Sequence, residues 1–596
     1  MSDVDDARTF ALYEKLPPLP LPSLKETAER YLATVEPLVD AAAFAETKRA
    51  VEALLAPGGA GEKLHAALEA KAAAKDNWLA DWWDDVAYLA FPEPVLLNSN
   101  FGISVDARSP SDDPATRAAE VACRTVDFHV GLVNETFPPE TVGRAKSPID
   151  MTFFKRILGT TRVPGRLKDE IVTAAVEESR HIAVLRGGRC FAVEVLDDTG
   201  RAVSVADLAA AFQRIIDLVD AERADVAPIA VLTTERRPVW ALERERLLSD
   251  PLNAASLAKM ESALFGVFLD EDAYDTFNAT ARAAIAGKPG ARWMDKTFSY
   301  VVDGRGRVSQ HGEHSTADGM QHVTIFDHGC DKSQIGVFRA QPAETQRRKP
   351  DLAPVELEWR LNVQTLAAIE AAVAHFEAKM ADYDVEVLHF DDFGKDVIKT
   401  LGTGPDSFVQ LGYQLAFWRL HGRAPKTYES AQTRAFRLGR TETIRTTSTA
   451  SKAFCQAFER GETSAEAARL LREAFAIHAQ RGKEAAAGQG VDRHVLGLAL
   501  MAQELGESVP EVATQEVWRR GWELSTAQLP MTALLVNNFG PVTYEGYGIG
   551  YVIQNDTVTC HVSSHRSHPD TGSRKFVAEL RKAFGEMRGL LEAHPA

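Results

Sequence analysis

From about residue 115 onward, helical stretches alternate with short β-rich runs, and no other feature of the chain restricts its fold as strongly. His181-Ile182-Ala183-Val184-Leu185, Arg189-Cys190-Phe191-Ala192-Val193-Glu194-Val195 and Phe298-Ser299-Tyr300-Val301-Val302 are the clearest such runs. Helices between strands predict an α/β class with mixed sheets. After a long helix around Val363 to Met380, Val385-Glu386-Val387-Leu388 reads as another strand, and a second domain is placed from there. A chain of 596 residues, 45% of them hydrophobic, can bury more than one core.

The first seventy-odd residues are organised differently. Leu16-Pro17-Pro18-Leu19-Pro20-Leu21-Pro22 cannot be helical, because each proline fixes its own φ and biases its predecessor toward extended backbone. It reads as an extended arm. Ser23 and Glu26 then supply a capping box for a helix through Tyr31 and Val35. Pro57-Gly58-Gly59-Ala60-Gly61 breaks the pattern, and Trp78, Trp82 and Trp83 read as anchors of a core or a domain seam.

Charge excludes some functions. With 67 basic and 84 acidic residues the net charge is -17, a poor footprint for nucleic acid or anionic lipid, so an anionic ligand must meet a local basic patch. Five scattered cysteines without a CxxC pair suit free thiols in a reducing compartment. No apolar run approaches the ~18 residues of a membrane span, and the acidic N-terminus resembles neither a secretory signal nor a transit peptide. The expectation is a cytoplasmic monomer without a membrane span.

Glu313-His314-Ser315-Thr316-Ala317-Asp318-Gly319 is the stretch that invites chemistry. His314 has a carboxylate four residues on and glycines on both sides, at Gly312 and Gly319, so the backbone can bend and leave the ring reachable as a general base. His311, His314, His322, His328 and Cys330 could instead supply metal ligands, but their spacing matches no HExxH pattern or structural zinc framework. No Gly-x-Ser-x-Gly elbow or papain-like cysteine signature occurs. Farther on, Lys395 and Lys399 share one face of a helix if one starts at Gly394, and such a pair can hold a phosphate.

Together, Arg292-Trp293-Met294-Asp295-Lys296, the histidine stretch, Gly394-Lys395-x-x-x-Lys399 and Thr427-Tyr428-Glu429-Ser430 resemble the choline/carnitine acyltransferases. Leu438-Gly439-Arg440-Thr441-Glu442-Thr443, Asp492-Arg493-His494 and Ser525-Thr526-Ala527 add to the likeness, which runs from the proline arm to Phe576. The resemblance implies two α/β domains of similar topology with mixed β-sheets flanked by helices, chloramphenicol acetyltransferase-like, with an active-site tunnel at their interface. Residues 75–360 would form the domain with the catalytic histidine; residues 10–74 with 361–596 would form the other, carrying the coenzyme A and carnitine motifs.

It also implies roles. His314 is the base. Lys395 and Lys399 meet the 3′-phosphate of coenzyme A, with Asp406 near the adenine. Tyr428, Thr441 and Arg493 hold the carboxylate of carnitine, and Arg493 also pairs with Asp318. Choline-type members carry an apolar residue where Thr441 stands. Ser525 lines the acceptor and the oxyanion, and Phe539 faces the trimethylammonium. Ala527 departs from the Ser-Thr-Ser pattern. Asn537 stands where the family sets the depth of the acyl pocket, and its polar side chain shortens that pocket or recognises a polar acyl group.

The activity implied is a carnitine O-acyltransferase, using acyl-coenzyme A and carnitine as substrates with no permanently bound cofactor or metal. Two other functions are compatible: a coenzyme A-dependent acyltransferase for another hydroxyl or a carrier-bound acyl group, and a degenerate acyl-coenzyme A binder.

Overall fold

The structure, a computed structural model, describes residues 8–143, 145–197, 199–222, 226–330, 336–338, 352–461 and 464–595. Two mixed sheets carry the fold; the alternation of helices and strands predicts their mixed α/β character. In spatial order the first runs Val355–Glu356, Arg189–Glu194, His181–Arg186, Gly266–Leu269, Phe298–Val302, Val308–Gly312, Phe101–Val105 and Leu534–Phe539. Gly266–Leu269 is parallel to both its neighbours, and the remaining pairs are antiparallel. The second sheet runs Tyr383–Phe390, Val558–His565, Tyr547–Ile553, Leu524–Gln528, Thr427–Gln432 and Thr441–Ile444, with Leu524–Gln528 parallel to both neighbours.

Helices on the sheet faces explain why the central strands read as unbroken apolar runs rather than alternating ones. Pro114–Val133 and Val205–Ala221 bury Val121, Val126, Phe212 and Ile215 in one core with Ile182, Val184, Val267 and Tyr300. Pro405–His421 and Ser573–Ala593 do the same in the second sheet, against Ile549, Val558 and Val562. The N-terminal helices Leu24–Val35, Ala41–Leu54 and Ala60–Ala74 share a core with Val491, Val495, Leu498 and Val512. The proline arm is extended, and neighbours take up the carbonyls it cannot use internally: Trp78 Nε1 donates to Pro20 O at 3.2 Å and Arg437 N to Pro17 O at 3.0 Å.

One crossing brings the sheets together. Leu534–Phe539 completes the first sheet beside Phe101–Val105, yet it presses on Tyr547–Ile553 of the second. Glycines make that approach possible: a Cβ on Gly550 would lie 1.9 Å from the Asn537 carbonyl oxygen, and one on Gly548 2.6 Å from that of Gly540. Among the described residues no helix is long and apolar enough to cross a membrane. All five cysteines are buried and none is in a disulfide.

Candidate active site

His314 lies in the turn between strand Val308–Gly312 and helix Gly319–Gly329. A buried ionic chain clamps the residue before it. Glu313 accepts from Arg162 at 3.0 Å and from Ser315 N and Oγ at 3.1 and 2.5 Å. Arg162 also bonds Asp169 at 2.7 Å, Asp169 bonds Arg237 at 2.6 Å, and Arg237 bonds Asp295 at 2.8 Å. Burial pushes the Asp295 carboxyl up to about 6 despite the guanidinium of Arg237. Breaking such a chain leaves a buried charge unpaired, at a cost of about 3–5 kcal/mol. The segments around Arg162 and Asp295 therefore accompany the histidine motif because they hold it.

The ring itself stacks on Tyr88 at 5.2 Å and meets the edge of Phe101 at 5.0 Å. Its Nδ1 sits 3.0 Å from Ala317 O and 3.3 Å from Tyr88 Oη. A carbonyl can only accept, so the heavy-atom geometry assigns the proton of the neutral ring to Nδ1. Nε2 then carries the lone pair, and it has no hydrogen-bond partner among the described residues. Burial lowers the pKa of His314; Asp318, 3.8 Å away, opposes the shift and Arg440 adds to it. The base form thus dominates near neutral pH.

Asp318 caps helix Gly319–Gly329 and is held by Arg440, not by Arg493 as expected. Arg440 reaches both carboxylate oxygens at 3.1 and 3.2 Å, and its other donors bind His314 O at 2.9 Å and Ser315 O at 2.8 Å. Burial alone would raise the pKa of Asp318, but Arg440 and His314 overcome it and keep the pKa low. The planar guanidinium explains the choice: it can serve a carboxylate and two carbonyls of one turn at once. Arg440 lies inside a motif read for Thr441, so the sequence signal was present but assigned to its neighbour.

Arg493 is engaged elsewhere. It donates to Thr441 O at 2.9 Å and toward the Thr441 and Thr443 hydroxyls at 3.3 and 3.4 Å, and its guanidinium lies over Trp83 at 4.1 Å. Among the described residues no carboxylate forms an ion pair with that guanidinium, although its charge favours ionisation of the buried Glu442, which also accepts from Arg493 N at 3.4 Å. With Tyr428 and Thr441 it lines a cavity of about 500 Å³ that also exposes His314, Asp318, Ser525, Asn537 and Phe539. Tyr428 and Ser525 are register partners on adjacent parallel strands. Burial raises the pKa of the Tyr428 phenol, so it enters the site as a donor. Trp83, Tyr88 and Trp522 complete this wall; Trp83 was read as a core anchor, and Tyr88 and Trp522 were given no part in the site.

Lys395 and Lys399 occupy the first and fifth positions of helix Lys395–Thr400, off the cavity wall. Asp406, in the first turn of Pro405–His421, accepts from Tyr551 Oη at 2.6 Å in a group with Glu429 and His478. His478 Nε2 lies 2.8 Å from Glu429, whose carboxyl burial and Asp406 push up. The other histidines of the central motif are packing groups. His311 contacts Asn100 at 3.0 Å and Ala284 O at 3.1 Å, and His322 lies between the rings of Phe101 and Phe298. His328 lies against Phe128 and Phe137.

Residues 19–582 match the family model described as choline/carnitine O-acyltransferase. The chain belongs to that family. It is 33% identical to a carnitine O-acetyltransferase of Columba livia, over 98% of this chain and 94% of that one. It is 32% identical to a peroxisomal carnitine O-octanoyltransferase of Bos taurus, over 98% of both chains, and 31% identical to a mitochondrial carnitine O-palmitoyltransferase 2 of the same species, over 98% and 93%. This family member is accordingly an acyltransferase, and the two-sheet architecture is the frame on which its activity is built.

Proposed function

We propose that this acyltransferase moves an acyl group reversibly between coenzyme A and the hydroxyl of carnitine, with His314 as general base. The observation that carries this reading is one cavity holding both an imidazole, whose Nε2 has no hydrogen-bond partner among the described residues, and the guanidinium of Arg493, which forms no ion pair among those residues. Nε2 takes the proton of the hydroxyl as its oxygen attacks the thioester carbonyl. The tetrahedral oxyanion collapses, the C–S bond breaks, and the proton passes to the departing sulfur. Asp318 steadies the imidazolium between these steps, and Arg440 keeps Asp318 ionised and in place.

Arg493, Tyr428 and Thr441 would bind the carboxylate of carnitine, and Phe539 would face its trimethylammonium, a cation–π contact. The Ser525 hydroxyl has no hydrogen-bond partner among the described residues and would donate to the oxyanion. Lys395 and Lys399 would hold the 3′-phosphate of coenzyme A, which serves as a substrate. A second reading, transfer to another hydroxyl, draws support from Ala527 and Asn537, where this chain departs from the family pattern. Release of coenzyme A thiol from acetyl-coenzyme A, with and without carnitine, in wild type and His314→Ala, tests both. Carnitine-dependent release that vanishes in the variant is expected; release that persists in it would overturn the role of His314.

A further inference from the structure

Acyl transfer through an oxyanion needs donors beside the reacting carbonyl, and the strand that supplies Ser525 offers only a methyl group at Ala527. Across from that methyl stands Asn537. Its Nδ2 donates to Ala527 O at 3.0 Å, which fixes the orientation of the carboxamide, since the nitrogen must face the carbonyl. An amide nitrogen carries two hydrogens, and one remains. Neither it nor Oδ1 has a partner among the described residues, although the residue is only 4% exposed. A buried carboxamide left half-bonded is a cost the fold would avoid with an apolar side chain, unless something in the cavity completes it.

Its placement suits that task. Asn537 and Phe539 share the cavity face of strand Leu534–Phe539, while Asn538 points away and donates to Ala281 O at 2.8 Å. Phe539 is the register partner of Phe101, whose ring touches His314, so Asn537 lies two residues, about 7 Å, along the strand from that level. Gly550 is what lets the strand come this close, with the Asn537 carbonyl 1.9 Å from where its Cβ would be. Gly550 is also the register partner of Ala527. The glycine therefore seats the carboxamide against the residue that lacks a donor.

We propose that the free N–H of Asn537 donates to the tetrahedral oxyanion, in partnership with Ser525. This rests on the acyl-transfer reading above. As the carbonyl carbon gains its bond to the acceptor oxygen, the π pair moves onto the carbonyl oxygen and is met by that N–H; on collapse the pair returns, the C–S bond breaks and the hydrogen bond relaxes.

The test is a cycle of Asn537→Leu, Ala527→Ser and the double variant, assayed by thiol release with acetyl-coenzyme A and carnitine. Leucine keeps the branched heavy-atom outline, with bulkier methyl groups, and removes the donor. Asn537→Leu is expected to lose about 10²–10³-fold in kcat with little change in either KM, and Ala527→Ser is expected to restore at least about tenfold in that background while changing little alone. Asn537→Ala with the same second substitution repeats the cycle should leucine disturb folding. Additive effects without rescue, or a change confined to acyl-chain preference with acetyl turnover intact, would overturn the assignment. Wild type that ignores carnitine would instead sink the proposed acceptor. The same cycle is then read on hydrolysis of acetyl-coenzyme A, which passes through the same oxyanion.

Discussion

Arg493→Ala isolates the acceptor half of the site. The guanidinium makes one good bond to a backbone carbonyl, at 2.9 Å to Thr441 O, and two long contacts to hydroxyls. Its loss therefore costs the fold about 2–3 kcal/mol, the net value of one internal hydrogen bond plus the cation–π contact over Trp83. A bound carboxylate loses as much or more. A charge-assisted pair on a partly dry wall contributes about 2–4 kcal/mol, and each 1.4 kcal/mol is a factor of about ten, so kcat/KM for carnitine is expected to fall about 30–1,000-fold. Lys395 and Lys399 lie on a different element, so the KM for acetyl-coenzyme A is expected to stay within about twofold. Arg493→Lys keeps a point charge but not the planar fork over Trp83, and an intermediate loss is expected. Steady-state kinetics with each substrate varied in turn, alongside a melting curve, measures all of this. Equal losses for both substrates, or a carnitine loss under about threefold with the fold intact, would show that Arg493 is not the carboxylate anchor.

Other outcomes follow from the same geometry. Because burial lowers the pKa of His314, the acid limb of kcat/KM is expected below pH 6.5, with activity complete above it and lost as pH falls through the folded-state pKa. Asp318 is the foremost group raising that pKa, so Asp318→Asn is expected to move the limb to lower pH while lowering the plateau; a limb that moves upward would contradict the assigned sign. Lys395→Ala and Lys399→Ala are expected to raise the KM for coenzyme A about tenfold each at low salt, and a dephospho-coenzyme A substrate that shows the same penalty would remove the phosphate from the explanation. Gly550→Ala places a methyl group against the crossing strand and is expected to destabilise by about 1–3 kcal/mol with loss of turnover; a normal melting curve with normal kinetics would mean the strands are not pressed together there.

The alternation of helices and strands was enough to predict an α/β class with mixed sheets, because fully covered strands must be apolar on both faces and leave unbroken runs such as His181-Ile182-Ala183-Val184-Leu185. The bend that exposes His314 was equally legible, since glycines flank it and a carboxylate follows at the cap position of the next helix. Local chemistry of this kind is written in neighbouring residues.

Which groups meet across the chain was a different matter. The resemblance pairs Asp318 with Arg493, and the packing of strand Thr441–Ile444 beside the histidine turn gives that place to Arg440 instead. Tyr88 enters the site from a segment more than two hundred residues upstream, held there by a partly buried bond from Arg162 to its carbonyl. The contact of Asn537 with Ala527 depends on Gly550, which lies in a third strand. The sequence alone determined the kinds of element and the local turn that presents His314. Hydrogen bonds, ion pairs and close approaches between distant strands are set by register and by where sheets cross, so the guanidinium, phenol and carboxamide around that histidine were decided only by the tertiary structure.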